Sequence, residues 1–359
     1  MHILDLELTP TQSALETARS VLAAGGLIIF PTETTYGAGV DATNQEAVNK
    51  LLAYKSRREG KPLSIAVASE SEAAKYVDIN PQAHALYVQF LPGPVTVVSK
   101  SLGKVAQGVA SEFETLGVRI PDYSFMLELC ASYGKPITAT SANGSGEKRP
   151  YSVADILAGL SEKQKSLVDL VLDAGELPHN PPSTVIDTTL SAPVTLRSGS
   201  INLGGAATDR LTSGSEADTR NIAGRLLLKH WDDIRERGLL VTLDGALGMG
   251  KTIFAKGVAT FLQIQETVAS PTYTYIEEYA FTRHQTQGMF YHLDMWKVDS
   301  AELFERLDVP SLFGPNKVVV IEWFDQVAPY LDLSKPDAPA VIRVQFSQSD
   351  EQRVLEIRE

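Results

Sequence analysis

The chain has 359 residues, 43% hydrophobic and 21% charged, with a net charge of −12, which is enough for two domains and too apolar for a disordered protein. Residues 1–205 carry 16 basic and 21 acidic side chains and residues 206–359 carry 16 and 23, so bulk charge makes neither half a polyanion binder and any anion site must be a local cluster. No uncharged apolar run reaches membrane-spanning length, Met1-His-Ile-Leu-Asp-Leu-Glu7 lacks a basic signal region, and the single cysteine excludes an internal disulfide or a Cys-rich zinc site; a cytoplasmic protein with no membrane partner is expected.

Thr9-Pro10-Thr11-Gln12 predicts a helix start, with Thr9 as the hydroxyl cap and Leu15, Ala18 and Leu22 on the apolar face. Gly25-Gly26 ends that helix, and 27–30 reads as a buried strand. The hydroxyl-rich loop Pro31-Thr-Glu-Thr-Thr-Tyr-Gly37 follows at the strand's carboxyl end, where open α/β sheets bind ligands; an ordinary turn is the alternative. Thr43-Asn-Gln-Glu46 predicts a capping box for a helix with Val48, Leu51, Leu52 and Lys55 on one face. Lys55-Ser-Arg57-Arg58-Glu-Gly-Lys61 then concentrates cations, as a triphosphate cradle or as a solvated helix end favoured by the macrodipole.

Strands are expected at 63–68, 94–98 and 117–121. Arg119 lies inside the last, where a charge must be paired or face a ligand cavity. Cys130 shares helical spacing with Phe125, Met126 and Leu129, which predicts a packing role. Pro136–Gly146 supplies hydroxyls and an amide, including Ser141 and Asn143. Strands at 184–187 and 194–197 close this half, the second ending in Arg197. Small and polar residues 206–218 read as a linker, separating domains at 1–205 and 219–359.

The second half carries Gly245-Ala-Leu-Gly-Met-Gly-Lys251-Thr252, which fits the phosphate-binding loop G-x-x-x-x-G-K-[ST]. Gly245, Gly248 and Gly250 let the backbone curl so that N–H groups face phosphate oxygens. Lys251 would neutralise charge between the β- and γ-phosphates of ATP, and Thr252 would put its hydroxyl on Mg²⁺. The buried strand predicted at 238–244 and the helix at 252–262 frame the loop, the helix N-terminus facing the phosphates. Strands are also expected at 275–279, 290–296 and 317–323. Two deliver acids, Asp294 and Glu322, and a carboxylate after such a strand usually touches the Mg²⁺ or its water shell. Asp294 could instead cap a helix expected near Asp299.

In the first half, Pro31-Thr-Glu-Thr-Thr-Tyr-Gly37, Lys55-x-Arg57, Pro92-Gly-Pro-Val-Thr96, Val118-Arg119-x-Pro121, Thr140-Ser-Ala-Asn143-x-Ser-Gly146, Ser183-Thr-Val-x-Asp187 and Leu196-Arg-x-Gly199 occur in order. Together they resemble the TsaC (YrdC-type) L-threonylcarbamoyladenylate synthases over roughly residues 10–201. The resemblance implies a twisted open α/β sheet with a cationic cavity, and a reaction joining L-threonine, bicarbonate and ATP into threonylcarbamoyl-AMP and pyrophosphate. It implies that Lys55, Arg57 and Lys61 hold the triphosphate with Mg²⁺, and that Arg119 holds the carboxylated intermediate. It also implies that Thr32 and Thr35 lie near the threonine, and that Ser141, Asn143, Ser183 and Arg197 bind the nucleotide. Arg58 stands where the family usually has proline, and Arg149-Pro150-Tyr151 replaces a Ser-Pro-Thr, leaving Arg149 a secondary candidate.

The P-loop together with Ser270-Pro-Thr-Tyr-Thr274, Phe290-Tyr-His-Leu-Asp294 and Ile321-Glu-Trp323 resembles TsaE, the small ATPase of bacterial tRNA threonylcarbamoyladenosine synthesis, over about 215–359. By that resemblance this half is a P-loop NTPase α/β domain. It implies that Asp294 orients the hydrolytic water or partner-dependent chemistry, that Glu322 sits at the metal, that Trp323 lies near the nucleotide pocket and that Thr272 lies on a switch-like segment near the γ-phosphate. Trp296-Lys297 stands where a Tyr-Arg pair is usual. The two resemblances imply a natural fusion acting in synthesis of the tRNA modification, with a TsaB–TsaD-type transferase as partner and tRNA contacted indirectly or weakly. An RNA-binding module coupled to an ATP-driven switch is the alternative. A hydrogenase-maturation carbamoyltransferase would need acylphosphatase and zinc-finger segments that the sequence lacks.

Overall fold

The structure is a computed structural model and describes residues 1–55, 62–143, 148–201, 209–271, 274–349 and 352–359. It divides into two compact units, Met1–Leu203 and Gly204–Glu359. Among the described residues no helix is long and apolar enough to cross a membrane.

The first unit is built on one mixed sheet of eleven strands. From one edge the order is His2–Asp5, Leu170–Asp173, Ile28–Phe30, Gly37–Gly39, Ile137–Ser141, Ser64–Ala66, Thr115–Arg119, Val95–Ser101, Thr184–Asp187 and Val194–Arg197, with the short Val77–Asp78 also pairing to Val95–Ser101. Successive residues feed opposite faces, as the strand period requires. Ile29, Ile65 and Val171 join one apolar cluster with Leu51, Tyr54 and Val118. Ile28, Phe30 and Leu170 join the other with Leu15, Leu22, Met126 and Cys130. Cys130 is therefore a packing residue, and burial pushes its thiol up to about 12.

Two predicted caps shift by one residue. Helix Thr11–Ala23 starts with Pro10 at its cap and no side-chain cap bond, while Thr9 belongs to the preceding turn, its N–H donating to Asp5 O. Its face of Leu15, Ala18 and Leu22 is buried as predicted. Helix Gln45–Lys55 is capped by Asn44, whose Oδ1 accepts from Glu46 N at 3.0 Å and Ala47 N at 3.2 Å. The Thr43 hydroxyl instead turns toward the preceding residues and donates to Asp41 Oδ1.

The second unit is a seven-stranded sheet in the order Asp209–Ser213, Gln352–Arg358, Ala340–Ser349, Leu239–Asp244, Lys317–Glu322, Thr286–Asp294 and Ile276–Arg283. The strand before the phosphate loop is central, with parallel neighbours on both sides. Every residue of Leu239–Asp244 is buried, as a strand covered on both faces demands. Helices Glu216–Lys229 and Lys251–Phe261 cross closely at Gly257, where a Cβ would lie 2.7 Å from Arg220 Cα.

Part of the segment read as linker is ordered in this sheet. Asp209–Ser213 pairs antiparallel with Gln352–Arg358, and Ser215 caps the following helix. Composition concealed the strand because only Leu211 and Ser213 turn inward, too short an alternation to register beside polar neighbours.

Candidate functional site

In the first unit the described candidates fall into two sets of contacts, one around Lys55, the 140–143 segment, the 31–37 loop and Arg119, the other between Ser183 and Arg197. Lys55, the last residue of its helix, is buried, and its Nζ donates to Ser141 O at 2.7 Å and Asn143 O at 2.6 Å. The Ser141 side chain itself is exposed at the end of its strand. Tyr54 Oη donates to Ala142 O, and Ala142 N donates to Tyr36 O. The helix end, the 140–143 segment and the 31–37 loop are thereby clamped together. Arg57 and Lys61 lie outside the described residues.

The loop is braced by its own hydroxyls. Thr32 Oγ1 accepts from the N–H groups of Thr34 and Thr35 and donates to Thr35 O at 2.6 Å. Thr35 Oγ1 donates to Pro150 O at 2.6 Å. In this structure both hydroxyls therefore shape the loop. Glu33, which the sequence reading passed over, carries the charge: its Oε1 accepts from Arg119 Nη2 at 2.5 Å, both side chains being largely buried. Glu33 Oε2 and Arg119 Nε have no hydrogen-bond partner among the described residues. Buried polar atoms left open in this way are rare and suit a polar ligand that completes them. The available signal was an acid set among threonines at a strand end.

Arg197 occupies the far side. Its Nη2 donates to Ser183 Oγ at 2.8 Å and to Ser183 O at 3.0 Å, and Ser183 Oγ also meets Thr96 Oγ1. The glycine of Leu196-Arg-x-Gly199 allows this approach, because a Cβ at 199 would lie 2.1 Å from Pro182 O. Burial of the guanidinium, and then the charges of Arg119 and Arg149, lower the Arg197 pKa. Three guanidiniums thus lie close enough for their charges to interact, one of them paired with Glu33, and a cluster of like charges of this kind favours an anion.

In the second unit Gly245, Gly248 and Gly250 all take positive φ, at 135°, 80° and 99°, conformations that L side chains resist. Lys251 opens the helix and is buried. Its Nζ donates to Gly245 O at 2.7 Å and Ala246 O at 3.0 Å, and lies 3.8 Å from the centre of the Trp323 ring. Burial pushes the ammonium pKa down, while Glu322, Asp294 and Asp244 pull it back up. Three strand-end carboxylates therefore surround the loop lysine. Asp244 was not singled out from the sequence, although it immediately precedes Gly245. Its carboxyl is pushed up by burial, against the 2.9 Å hydrogen bond it accepts from Asp325 N.

Asp294 accepts from Ser270 Oγ at 3.2 Å and Trp296 N at 3.0 Å. The helix near Asp299 is capped instead by Ser300. Glu322 Oε1 meets His292 Nε2 at 2.9 Å, and His292 Nδ1 meets Ala269 O at 3.0 Å, so the histidine must donate at Nδ1. His292 also went unremarked, though it stands two residues before Asp294 on the same strand face. Trp323 adopts a left-handed backbone, and its ring packs 4.5 Å from that of Trp296. Thr272 lies outside the described residues. Thr252, Asp294 and Glu322 are residue types that P-loops offer to Mg²⁺ beside nucleotide phosphates, but among the described residues no cluster of three His, Cys, Asp or Glu ligands is formed.

Comparison with known families agrees with this division. A model of the Sua5/YciO/YrdC family, described as telomere recombination, matches residues 20–199, and a model of TsaE, the threonylcarbamoyl adenosine biosynthesis protein, matches 213–355. A Methanocaldococcus jannaschii protein named as a putative threonylcarbamoyl-AMP synthase is 34% identical over 201 residues, covering 56% of this chain and 93% of that one. A threonylcarbamoyl-AMP synthase of Pseudoalteromonas translucida is 32% identical, with 49% and 94% covered. Pyrococcus abyssi Sua5, solved in complex with L-threonine, superposes with a TM-score of 0.53 at 21% identity over 90% of this chain and 92% of its own, a likeness of fold. The chain thus belongs to the Sua5/YciO/YrdC family and carries a TsaE-family domain behind the synthase-like one.

Proposed function

We propose that the first unit makes threonylcarbamoyl-AMP and pyrophosphate from L-threonine, bicarbonate and ATP, and that the second hydrolyses ATP in support of a TsaB–TsaD-type transferase modifying tRNA. The synthase reading is supported by the contacts that tie Lys55 to the Ser141–Asn143 segment, by the Arg119–Glu33 pair on the 31–37 loop, and by Arg197, held by Ser183 and close enough to Arg119 for their charges to interact.

The chemistry asks for positioning and charge neutralisation. Threonine's amine attacks CO₂ derived from bicarbonate. The resulting carbamate oxygen attacks the α-phosphorus, and pyrophosphate departs. Arg119, with its Nε open, and Glu33, with Oε2 open, bracket the carboxylated amino acid on the loop that Thr32 and Thr35 hold in shape. Lys55, Arg57 and Lys61 take the triphosphate. Ser141, Asn143, Ser183 and Arg197 hold the nucleotide.

In the second unit the N–H groups of the loop and Lys251 hold the β- and γ-phosphates, and Trp323 flanks the site. Asp294 orients the water, and Thr272 answers to the γ-phosphate. Thr252 and Glu322 would hold Mg²⁺, which neutralises phosphate charge. His292 keeps the Glu322 carboxylate aimed by its hydrogen bond. Joining the units in one chain raises the local concentration of the synthase near the transferase.

Mass spectrometry of the product formed from ATP, threonine and bicarbonate tests the synthase; only unreacted ATP or its hydrolysis products would overturn it. Retention of a TsaB–TsaD-type complex by the second unit tests the partner, and loss of that retention would remove it.

A further inference from the structure

We infer that Arg353 is a second cation of the nucleotide site in the C-terminal unit, holding phosphate at the Gly250–Lys251 end of the loop. The inference rests on the reading of that loop as a nucleotide site. Arg353 lies far along the chain in no recognised motif, and the sheet delivers it. It is the second residue of Gln352–Arg358, which pairs antiparallel with Ala340–Ser349, and that strand runs directly beside Leu239–Asp244, from which the loop emerges. The approach is close at two points. A Cβ at Gly245 would lie 2.6 Å from Phe346 O, and a Cβ at Gly250 would lie 3.3 Å from Arg353 Nε, 3.4 Å from Cδ and 3.8 Å from Cζ. The guanidinium is thus laid along the backbone of the last loop glycine, where any side chain would crowd it.

Arg353 is half-buried, and among the described residues no hydrogen bond or ion pair engages its side chain. It stands at the N-terminus of helix Lys251–Phe261, the positive pole of that helix, with the Lys251 ammonium next in sequence to Gly250. Glu322, Asp294 and Asp244 face the Lys251 ammonium, whereas no ion pair among the described residues engages Arg353. A phosphate oxygen at the helix N-terminus gives this guanidinium an anionic partner.

The test is ADP binding to the full chain, scored at the site that Lys251→Ala removes, for wild type, Arg353→Gln and Arg353→Lys. Thermal melts run alongside to separate folding from binding. Arg353→Gln should weaken ADP binding by about tenfold or more, the scale of a hydrogen bond to a charged group, with a shallower salt dependence and an unchanged melt. Arg353→Lys should recover most of the affinity. Wild-type affinity and salt dependence in Arg353→Gln would overturn the inference alone, as would weakening that Arg353→Lys fails to relieve. If wild type has no ADP site that Lys251→Ala removes, the nucleotide reading falls and the inference falls with it.

Discussion

On the function proposed for them, the two units meet the same demand, binding a nucleoside triphosphate, by opposite constructions. The C-terminal site is continuous in sequence: three glycines at positive φ, a lysine and a helix N-terminus within eight residues. Its phosphate-binding loop is assembled by local conformation, while the sheet adds Asp294, Glu322 and Trp323 around Lys251. The N-terminal site draws on Glu33, Lys55, Arg119, Ser183 and Arg197 from five separate segments, and only the sheet brings them within reach of one another. A contiguous loop is specified by spacing, whereas a dispersed site is specified by the whole domain. The dispersed site also carries charges buried against each other, as in Arg119–Glu33, so its function and its stability are bound together. The loop can lose a side chain with little effect on the fold.

The largest expected effect separates the two sites outright. Lys251→Ala should cut ATP hydrolysis by the C-terminal unit at least about a hundredfold, the scale of losing a charge-stabilising donor, while threonylcarbamoyl-AMP formation proceeds at its normal rate. Loss of both activities in folded protein would show that the sites are coupled and break the comparison. Arg119→Gln comes next. It should stop adenylate formation and also destabilise the first unit by about 3 kcal/mol, because the Glu33 carboxylate is left buried and unpaired. Denaturant unfolding measures the loss, and adding Glu33→Gln should restore much of the stability without restoring activity. An unchanged midpoint in Arg119→Gln would mean that the pair is not buried in charge balance.

Gly257→Ala sharpens the contrast from the other side, since it touches packing without touching the loop. Its methyl would press on Arg220 Cα and Ala223 Cβ, and overpacking of this kind costs about 1–3 kcal/mol. The unfolding transition of the second unit should shift and that of the first should not. The smallest effect concerns Glu359. Burial alone would raise its pKa, but the Lys229 ammonium, which donates to it at 2.5 Å, and the His230 ring 3.4 Å away outweigh burial and hold it at about 2, below the ordinary 4.5. A depressed carboxylate stabilises the fold above its ordinary pKa, and that contribution is lost as pH falls from 4.5 toward 2. Glu359→Gln should flatten the acid limb of a stability–pH profile; an unaltered limb would place the acid sensitivity elsewhere.

By itself the sequence determined the parts that depend on short-range geometry. The loop at 245–252, the strand before it, the apolar faces of the first helices and the packing role of Cys130 follow from spacing and periodicity, because backbone conformation and side-chain direction are set within a few residues. Arg119 also announced itself, since an arginine inside an apolar strand needs a partner. What the sequence withheld was the identity of partners. Glu33 against Arg119, His292 against Glu322, Asn44 in place of Thr43 as a cap, and Arg353 against Gly250 depend on which hydroxyl or carbonyl is already engaged and on which strand lies beside which. The strand at 209–213 was hidden for the same reason: its hydrogen-bond partner lies some 140 residues away and is supplied by the closing sheet. Charge pairs and ladder bonds form between segments distant in the chain, so only the assembled tertiary structure decides them.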